Sequence, residues 1–304
     1  MALPPVARTV TPIADTASHE ASAPITFAVI GDYGTGDAHE RAVAKLVASW
    51  DPAFVITTGD GYYSEAGGKG MAKYGRSTGA YYGKWLENKS AKGKRLPVGK
   101  GRVNSFFPSL GNHDYHDATP GPKTYLKYFR LPGKGHENSS RNERYYDFVK
   151  GPVHFFVLNS NKQERHGVSW KSRQARWLKE QLAKSSSEWN IVYQHHSPYS
   201  SDGRYGCSPH MRWPFAAWGA DVVISGHSHT YERIMRDGVV YFVNGLGGGA
   251  RYRNRFSTPV RGSAVRYRAN WGAQKVTVTD TKLKFAFYDV KGRLVDSYTL
   301  EAGR

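Results

Sequence analysis

Residues 54–63 read Phe54-Val-Ile-Thr-Thr-Gly-Asp-Gly-Tyr-Tyr63, an apolar and β-branched run that stops at Gly59. Such a run is typical of a strand that is covered on both faces. Gly59 frees the backbone to turn, so we expect Asp60 at the carboxyl end of the strand, where open α/β sheets place their ligands. Taken alone, Gly-Asp after a strand is more typical of an ordinary turn than of a site. The rest of the chain decides between the two.

Four further strand-like segments also end in residues that can bind a metal ion. Residues 25–30, 106–110, 190–194 and 221–225 lead to Asp32, to Asn112 with His113, to His195, and to His227 with His229. The alternative is five independent turns. Asp, Asn and His at the ends of successive buried strands, with no cysteine nearby, instead indicate a two-metal site with oxygen and nitrogen ligands.

The pattern between these segments predicts an α/β fold. Residues 38–50 have helical spacing after a possible N-cap at Asp37, which makes 25–60 a right-handed βαβ unit. Residues 172–184 form an amphipathic helix, and 81–86 and 125–130 are short helix candidates. Segments 144–149 and 153–158 pair as strands, and the tail from 239 alternates as antiparallel strands. Residues 64–104 are expected to be a long surface excursion over one rim of the site, or a solvated insertion without a role.

The composition limits the classes of function. The 304 residues carry 43 Lys and Arg against 25 Asp and Glu, a formal charge of +18. This surface attracts anionic substrates, polyanions and acidic cell surfaces, but no motif for specific nucleic-acid binding accompanies it. Cys207 is the single cysteine, which excludes an intrachain disulfide and a thiolate metal cluster. No apolar run reaches transmembrane length, so a soluble chain is expected.

Residues 1–24 are rich in Ala, Pro, Thr and Ser and lack the apolar core of a signal peptide. We interpret them as a flexible leader, such as remains when an export signal is removed, in front of one catalytic domain over 25–304. A secreted or periplasmic location is predicted, with a cytoplasmic one left open.

The ordered motifs resemble those of the calcineurin-like metallophosphoesterases. They are Asp32-x-Gly34, Gly59-Asp60-x-x-Tyr63, Gly111-Asn112-His113-Asp114, Val192-x-x-His195 and Gly226-His227-x-His229. Tyr63 is similar to the tyrosine of one group in that superfamily, the purple acid phosphatases, which include the tartrate-resistant acid phosphatases. The resemblance implies a four-layer αββα sandwich, in which two mixed β-sheets lie face to face with helices outside.

The resemblance also implies two metal ions. Fe(III) would be bound by Asp32, Asp60, Tyr63 and His229, and Fe(II), Zn(II) or Mn(II) by Asp60, Asn112, His195 and His227. The ligand chemistry agrees, because phenolate and carboxylates favour a trivalent ion and imidazoles with an amide suit a divalent one. Asp60 would bridge the ions, one on each carboxylate oxygen, roughly 3.5 Å apart.

The implied activity is hydrolysis of phosphate monoesters, in which a metal-bound hydroxide attacks phosphorus in line. A proton donor outside the ligand set assists departure of the alkoxide. His113 matches the outer histidine of the family motif and is expected to bind phosphate or protonate the leaving group. His196 is the second catalytic candidate, with a packing role beside His195 as its alternative.

Several alternatives stay open. The same metal core serves phosphodiesterases and nucleotidases, with 64–104 selecting the substrate, and a secreted polyanion-binding protein with structural metals is a third function. The complete ligand set and the spare His113 favour the phosphatase. Tyr62 becomes the ligand if the register shifts, although the spacing favours Tyr63. Residues 245–249 predict a tight turn that could line the site, and the arginines of 251–268 are either solvated or grip an anionic substrate.

Overall fold

The computed structural model of the protein describes residues 23–87, 101, 103–116, 121–252 and 256–303. The predicted leader therefore lies outside the described residues except for its last two positions. Most of the charged part of the predicted excursion, residues 88–100 and 102, lies outside them as well.

The described residues form thirteen strands and six α-helices. The strands are β1 (Ile25–Ile30), β2 (Phe54–Thr57), β3 (Phe106–Pro108), β4 (Tyr146–Lys150), β5 (Val153–Val157), β6 (Trp189–Tyr193), β7 (Val222–Ser225), β8 (Tyr231–Arg236), β9 (Val239–Asn244), β10 (Ser263–Tyr267), β11 (Gly272–Val278), β12 (Lys282–Asp289) and β13 (Leu294–Glu301). The helices are α1 (Ala38–Ser49), α2 (Ala72–Tyr74), α3 (Ala80–Tyr82), α4 (Lys123–Tyr128), α5 (Arg173–Lys184) and α6 (Phe215–Trp218).

These strands build two mixed sheets. The first has six strands in the order β13-β12-β11-β1-β2-β3, and the second has seven in the order β10-β8-β9-β7-β6-β5-β4. Strands β1, β2 and β3 run parallel to one another, and so do β5, β6 and β7. The predicted βαβ unit is confirmed, with the Asp37 carboxylate accepting from the His39 and Glu40 backbone N–H groups at the start of α1.

The inner faces of the two sheets meet in an aromatic core. Phe27 and Phe54 of the first sheet pack edge-on against Phe155 of the second, with ring centroids 5.3 and 5.5 Å apart. At the other end of the core the rings of Phe242 and Phe285 lie 4.7 Å apart. Aromatic side chains of this size dominate the apolar area that a core removes from water.

Helices cover the outer faces. On one side α5 buries Leu178 and Leu182 in a cluster that also contains Val192 of β6 and Val223 of β7. On the other side α1 lies against β11. The layers are therefore helix, sheet, sheet, helix, which confirms the predicted αββα sandwich.

The segment after β2 differs from the expectation of a surface excursion. Helices α2 and α3 are joined by a π-helical turn, Gly75–Gly79, so the helix begins at Ala72 rather than Tyr81 and ends at Tyr82. Tyr74, Tyr82 and Trp85 are buried in the main core. Tyr74 and Tyr82 lie in this helix and Trp85 shortly after it, and the glycines at 75 and 79 obscured the helix in the sequence.

Candidate metal centre

The five predicted strand ends converge at one edge of the sandwich. Asp32 and Asp60 follow β1 and β2 of the first sheet, whereas His195 and His227 follow β6 and β7 of the second. Asp32, Asp60 and His195 each bring one ligand-capable atom within 4.8 Å of the others. Because the two sheets face each other, the ends of their parallel strands form a common rim.

Three of the site residues hold their backbone in the left-handed region. The φ angles of Asp32, Asp60 and His227 are 54°, 53° and 67°. This conformation costs non-glycine residues about 1–3 kcal/mol each and clusters at functional sites. It lets each chain turn sharply after its strand, so that the side chain projects over the end of the sheet.

A first group of atoms surrounds the hydroxyl of Tyr63. This oxygen lies 3.4 Å from Asp32 Oδ1, 3.2 Å from Asp60 Oδ2 and 3.1 Å from His229 Nε2. His229 Nε2 is also 3.4 Å from Asp32 Oδ1. The four side chains that the family resemblance assigned to the first metal ion are therefore joined by short contacts through the Tyr63 hydroxyl.

A second group surrounds Nε2 of His195. This nitrogen lies 2.9 Å from Asn112 Oδ1, 3.1 Å from His227 Nδ1 and 3.4 Å from Asp60 Oδ2. These are the four side chains that the resemblance assigned to the second ion.

Asp60 belongs to both groups through a single oxygen. Its Oδ2 contacts Tyr63 and His195, whereas its Oδ1 accepts a hydrogen bond of 2.9 Å from the backbone N–H of His113. This differs from the expectation that each oxygen would serve one ion. The backbone of the Asn-His segment occupies Oδ1, which leaves Oδ2 facing both groups of ligands.

Hydrogen bonds outside the two groups fix which atoms face inward. His195 donates Nδ1–H to the Thr58 carbonyl at 2.8 Å, and His229 donates Nδ1–H to the Ala250 carbonyl at 2.6 Å. Each ring therefore presents the lone pair of Nε2 to the site. Such partners orient metal-binding histidines and raise their basicity.

Burial sets the charges of these groups. It raises the pKa of Asp60 to about 7, with the nearby Asp32 carboxylate adding to the effect. Burial, reinforced by the neighbouring His195, lowers the pKa of His227 to about 3, and burial also lowers the pKa of His195. The His227 imidazole is thus neutral at mildly acidic pH, and burial favours the neutral form of His195 as well. Burial and the two carboxylates raise the pKa of the Tyr63 phenol well above its usual value.

The donor set fits two cations. The Tyr63 hydroxyl has one proton and cannot donate to Asp32, Asp60 and His229 at once, so the acceptors around it have room for a cation. All the donors are oxygen or nitrogen. The first group is rich in anionic oxygen and suits a hard trivalent ion, while the imidazoles and amide of the second suit a divalent ion.

The two predicted catalytic histidines flank the groups without joining them. The His113 ring lies against that of Tyr63, with centroids 4.5 Å apart, and burial lowers its pKa. The His196 ring lies 4.5 Å from that of His227, and its Nδ1 lies 2.8 Å from Ser160 Oγ.

Sequence reasoning missed the role of Asp114. Its buried carboxylate accepts from the backbone N–H of Gly111 at 2.7 Å and of Asp60 at 3.2 Å, and from the Tyr74 hydroxyl at 2.9 Å. It thereby ties the turn after β3 to the turn after β2. Its position directly after Asn112-His113 in the motif was the available signal.

The glycine run after β9 also supports the site. The Gly247 and Gly249 N–H groups donate to the carbonyls of Gly31 and Asp32. A Cβ on Gly249 would lie 2.8 Å from Cε1 of His229. Close packing of the backbone against this candidate ligand histidine therefore requires glycine there. Tyr205 and Tyr252, which pack against His227 and His229, had no sequence signal.

The fold and the two groups of oxygen and nitrogen donors are typical of the class of metal-dependent phosphoesterases. The sequence profile of a family described as calcineurin-like phosphoesterase matches residues 25–231, and the chain belongs to this family. Its curated relatives include purple acid phosphatases, as the motifs indicated. Purple acid phosphatase 23 of Arabidopsis thaliana is 28% identical over 256 residues, which are 74% of this chain and 53% of that protein. Purple acid phosphatase 7 of the same plant is 24% identical over 302 residues, 91% of this chain and 86% of that protein.

The chain thus spans about half the length of the first relative and most of the second. Among solved structures, purple acid phosphatase PPD1 of yellow lupin (Lupinus luteus) superposes with a TM-score of 0.67 at 17% identity, covering 92% of this chain and 54% of that one. GAP50, described as the anchor in the inner membrane complex of Plasmodium, superposes with a TM-score of 0.66 at 17% identity, covering 93% of this chain and 90% of that one. Both likenesses concern the fold. Among the described residues, every helix is too short or too polar to cross a membrane.

Proposed function

We propose that this protein is a two-metal phosphatase of the purple acid phosphatase type that hydrolyses phosphate monoesters. One observation carries the proposal: the short contacts of the site divide into two groups that share Asp60 Oδ2. A carboxylate shared between two sets of oxygen and nitrogen donors suits a pair of metal ions about 3.5–4 Å apart, the spacing of two-metal hydrolases.

The proposed ligands follow the two groups. Asp32, Asp60, Tyr63 and His229 would hold the first ion, for which we propose Fe(III), and Asp60, Asn112, His195 and His227 would hold Fe(II), Zn(II) or Mn(II). When bound, such a pair of ions acidifies water and withdraws charge from a phosphate.

The chain's own residues prepare the site for this chemistry. His195 and His229 are held with their Nε2 lone pairs inward by the carbonyls of Thr58 and Ala250. His113 stands beside Tyr63 and is half-buried, so its imidazole can contact a phosphate at the mouth of the site. We assign it to phosphate binding and to protonation of the leaving oxygen.

For His196, the contacts favour support of the site. Its ring packs on that of His227. Its Nδ1 is hydrogen-bonded to Ser160 Oγ, and its backbone N–H donates to the same oxygen. We propose that it orients His227. The secreted or periplasmic location and the association with polyanions stay predictions.

The first test measures metal content and turnover together. Purified protein should hold two metal ions per chain and release phosphate from 4-nitrophenyl phosphate faster than it cleaves bis(4-nitrophenyl) phosphate. Asp60→Ala should lose both ions because Asp60 is shared. His113→Ala should keep both ions and lose turnover by roughly 100-fold, the size of a general-acid contribution.

Asp60→Ala and His113→Ala serve as controls for each other, because one should lose metal ions and the other should lose turnover alone. Retention of both ions by Asp60→Ala would reject the shared ligand, and loss of ions by His113→Ala would make His113 a ligand. A faster rate on the diester would replace the monoesterase proposal by a phosphodiesterase.

A further inference from the structure

A cavity with an unusual lining lies next to the candidate metal centre. Its volume is about 610 Å³, and it is lined by Arg251, Tyr252, Phe256, Arg266, Tyr267, Arg268 and Ala269. None of these described lining residues is acidic. A larger cavity, of about 810 Å³, beside β4 and α5 contains acidic as well as basic side chains, among them Glu137, Asp147 and Lys184.

Two tyrosines connect the arginine-lined cavity to the metal centre. The Tyr252 ring stacks on that of His229 with centroids 4.9 Å apart, and the Tyr205 ring lies 4.4 Å from that of His227. The two tyrosine rings are 5.8 Å from each other. The two tyrosine rings therefore connect the candidate metal ligands to the cavity.

The guanidinium groups of four arginines near the cavity lie over aromatic rings. We call these residues the arginine cluster: Arg204, Arg251, Arg266 and Arg268. The Arg204 guanidinium lies 3.9 Å from the centroid of Tyr252, and that of Arg251 lies 4.1 Å from the centroid of Trp271. Arg266 and Arg268 lie over Phe256 at 5.1 and 5.7 Å.

The cluster has no anionic partner in the described part of the chain. Its four arginines form no ion pair there, whereas Arg144, Arg233 and Arg293 each pair with a carboxylate. Arg251 already donates to the backbone carbonyls of Arg268 and Ala269, and Arg266 to that of Ser257. These carbonyls leave the positive charges of the cluster without an anionic partner among the described residues. Guanidinium groups of this kind match the oxygen geometry of phosphate.

Buried hydrogen bonds fasten together the segments that bear Arg204 and Arg266. The Glu232 carboxylate, fully buried on β8, accepts from Ser201 N–H at 2.7 Å, from Ser201 Oγ at 2.5 Å and from Ser263 Oγ at 2.6 Å. The Asp202 carboxylate accepts from the Tyr205 N–H at 2.8 Å. The loop that bears Arg204 is thus fixed to β10, which bears Arg266.

We propose that the arginine cluster is a subsite for a second phosphate group, so that the preferred substrates carry a further phosphate besides the scissile one. The inference deepens the proposed function and rests on it, because the scissile phosphate is placed at the metal ligands. A monophosphate would leave the cluster without a partner, whereas a bisphosphate would engage both places.

The kinetic test compares matched substrates. If the two phosphates must be adjacent, the metal-loaded protein should show a lower KM for ADP than for AMP. If they must be separated, it should show a lower KM for fructose 1,6-bisphosphate than for fructose 6-phosphate. Arg204→Gln and Arg266→Gln should each raise the KM of the favoured bisphosphate roughly 3- to 10-fold, as expected for a charged hydrogen bond near solvent. In each variant the rise in KM for the bisphosphate should exceed any change in KM for 4-nitrophenyl phosphate.

Arg176→Gln is the control, since this exposed arginine of α5 carries the same charge and donates to the Lys171 carbonyl. It should leave every KM unchanged. If neither ADP nor fructose 1,6-bisphosphate has a lower KM than its monophosphate, the subsite is rejected. It is also rejected if all three variants raise the KM of the bisphosphate equally, because that rise would be an effect of net charge.

A binding measurement separates this inference from the proposed function. By calorimetry, propane-1,3-diphosphonate should bind the purified protein more tightly than propylphosphonate, and the double variant of Arg204→Gln and Arg266→Gln should remove the difference. If the double variant still binds the diphosphonate more tightly than propylphosphonate, the subsite proposal is wrong. If the diphosphonate preference is present but no ester is hydrolysed, the phosphatase proposal fails and the anion site stands.

Discussion

At the scale of single residues, Tyr62 and Tyr63 are neighbours in sequence with different surroundings. The Tyr63 hydroxyl lies within 3.4 Å of two carboxylates and an imidazole. The Tyr62 ring instead packs on Tyr74, at 6.4 Å between centroids, and below Lys73 Nζ, at 4.3 Å. The structure therefore places Tyr63 at the candidate metal centre and Tyr62 in the packing behind it.

This difference yields a test by colour. A phenolate bound to Fe(III) absorbs visible light by charge transfer, and a bound trivalent ion is needed to remove a proton whose pKa burial has raised. We expect the iron-loaded protein to be pink to purple. Tyr63→Phe should bleach it and preserve the fold, because only one oxygen is lost, and Tyr62→Phe should keep the visible absorption spectrum.

A coloured Tyr63→Phe variant would contradict the assignment of Tyr63. A colourless, iron-free wild type that is fully active with two divalent ions would remove the purple type and leave membership of the phosphoesterase family intact.

At the scale of structural elements, the turns after β2 and β3 are packed against each other with no spare volume. A Cβ on Gly111 would lie 2.1 Å from Asp60 Oδ1 and 2.3 Å from Asp60 N. Real Cβ atoms do not approach other atoms so closely, so the turn after β3 requires glycine here for the shared carboxylate to keep its place.

We expect Gly111→Ala to displace Asp60 and to lose metal ions, at a cost in stability of about 1–3 kcal/mol for overpacking. Metal analysis and thermal unfolding would measure both effects. Gly292→Ala is the matched control, because its φ of 78° strains an alanine although its Cβ would meet nothing within 4 Å. That variant should lose about 1–2 kcal/mol of stability and no metal. Full metal content in Gly111→Ala would show that the turn can shift without moving Asp60.

The strand ends were predictable from sequence because each is encoded locally. An apolar run that ends at Gly59 before Asp60 specifies both the strand and the turn. Helix α5 was predicted almost to the residue from its amphipathic spacing, and Ser172, at the predicted start, caps it by accepting from the Ala175 N–H. In both cases the signal lies within a dozen neighbouring residues.

Features that depend on tertiary packing were not predictable. The helix from Ala72 to Tyr82 is stabilised by burying its tyrosines between other elements, although two glycines lower its propensity. Tyr205 and Tyr252 reach the site from loops that only the closed sandwich brings together. The sharing of one Asp60 oxygen likewise depends on the backbone of His113, which lies on another strand end.

At the scale of the whole molecule, both sheets contribute to one continuous aromatic and aliphatic cluster. This supports our proposal that 25–304 fold as one domain. The shared core also encloses an acidic group that no metal ligand contacts in the described structure. Glu40, near the start of α1, is fully buried, accepts from the Gly36 N–H at 2.7 Å through Oε2, and leaves Oε1 without a described hydrogen-bond partner.

Glu40 makes the stability of the whole fold depend on pH. Burial, with a smaller contribution from the Asp37 carboxylate, raises the pKa of Glu40 well above its usual value. The protonated form is therefore favoured in the folded state. The stability that Glu40 contributes is complete below the unfolded pKa of about 4.3 and is lost as pH rises toward the folded pKa, by about 1.4 kcal/mol per pH unit.

Glu40→Gln should abolish this loss, because glutamine has nearly the same shape and no charge to bury. The melting temperatures of variant and wild type should be close at pH 4, and the variant should become progressively more stable than the wild type toward pH 8. Glu180→Gln, an exposed position on α5, is the control and should give a difference that does not vary with pH. Parallel curves for Glu40→Gln and wild type would show that the buried carboxyl titrates alike in the folded and unfolded chains. A variant that is less stable at pH 8 would show instead that the charged form is stabilised in the fold.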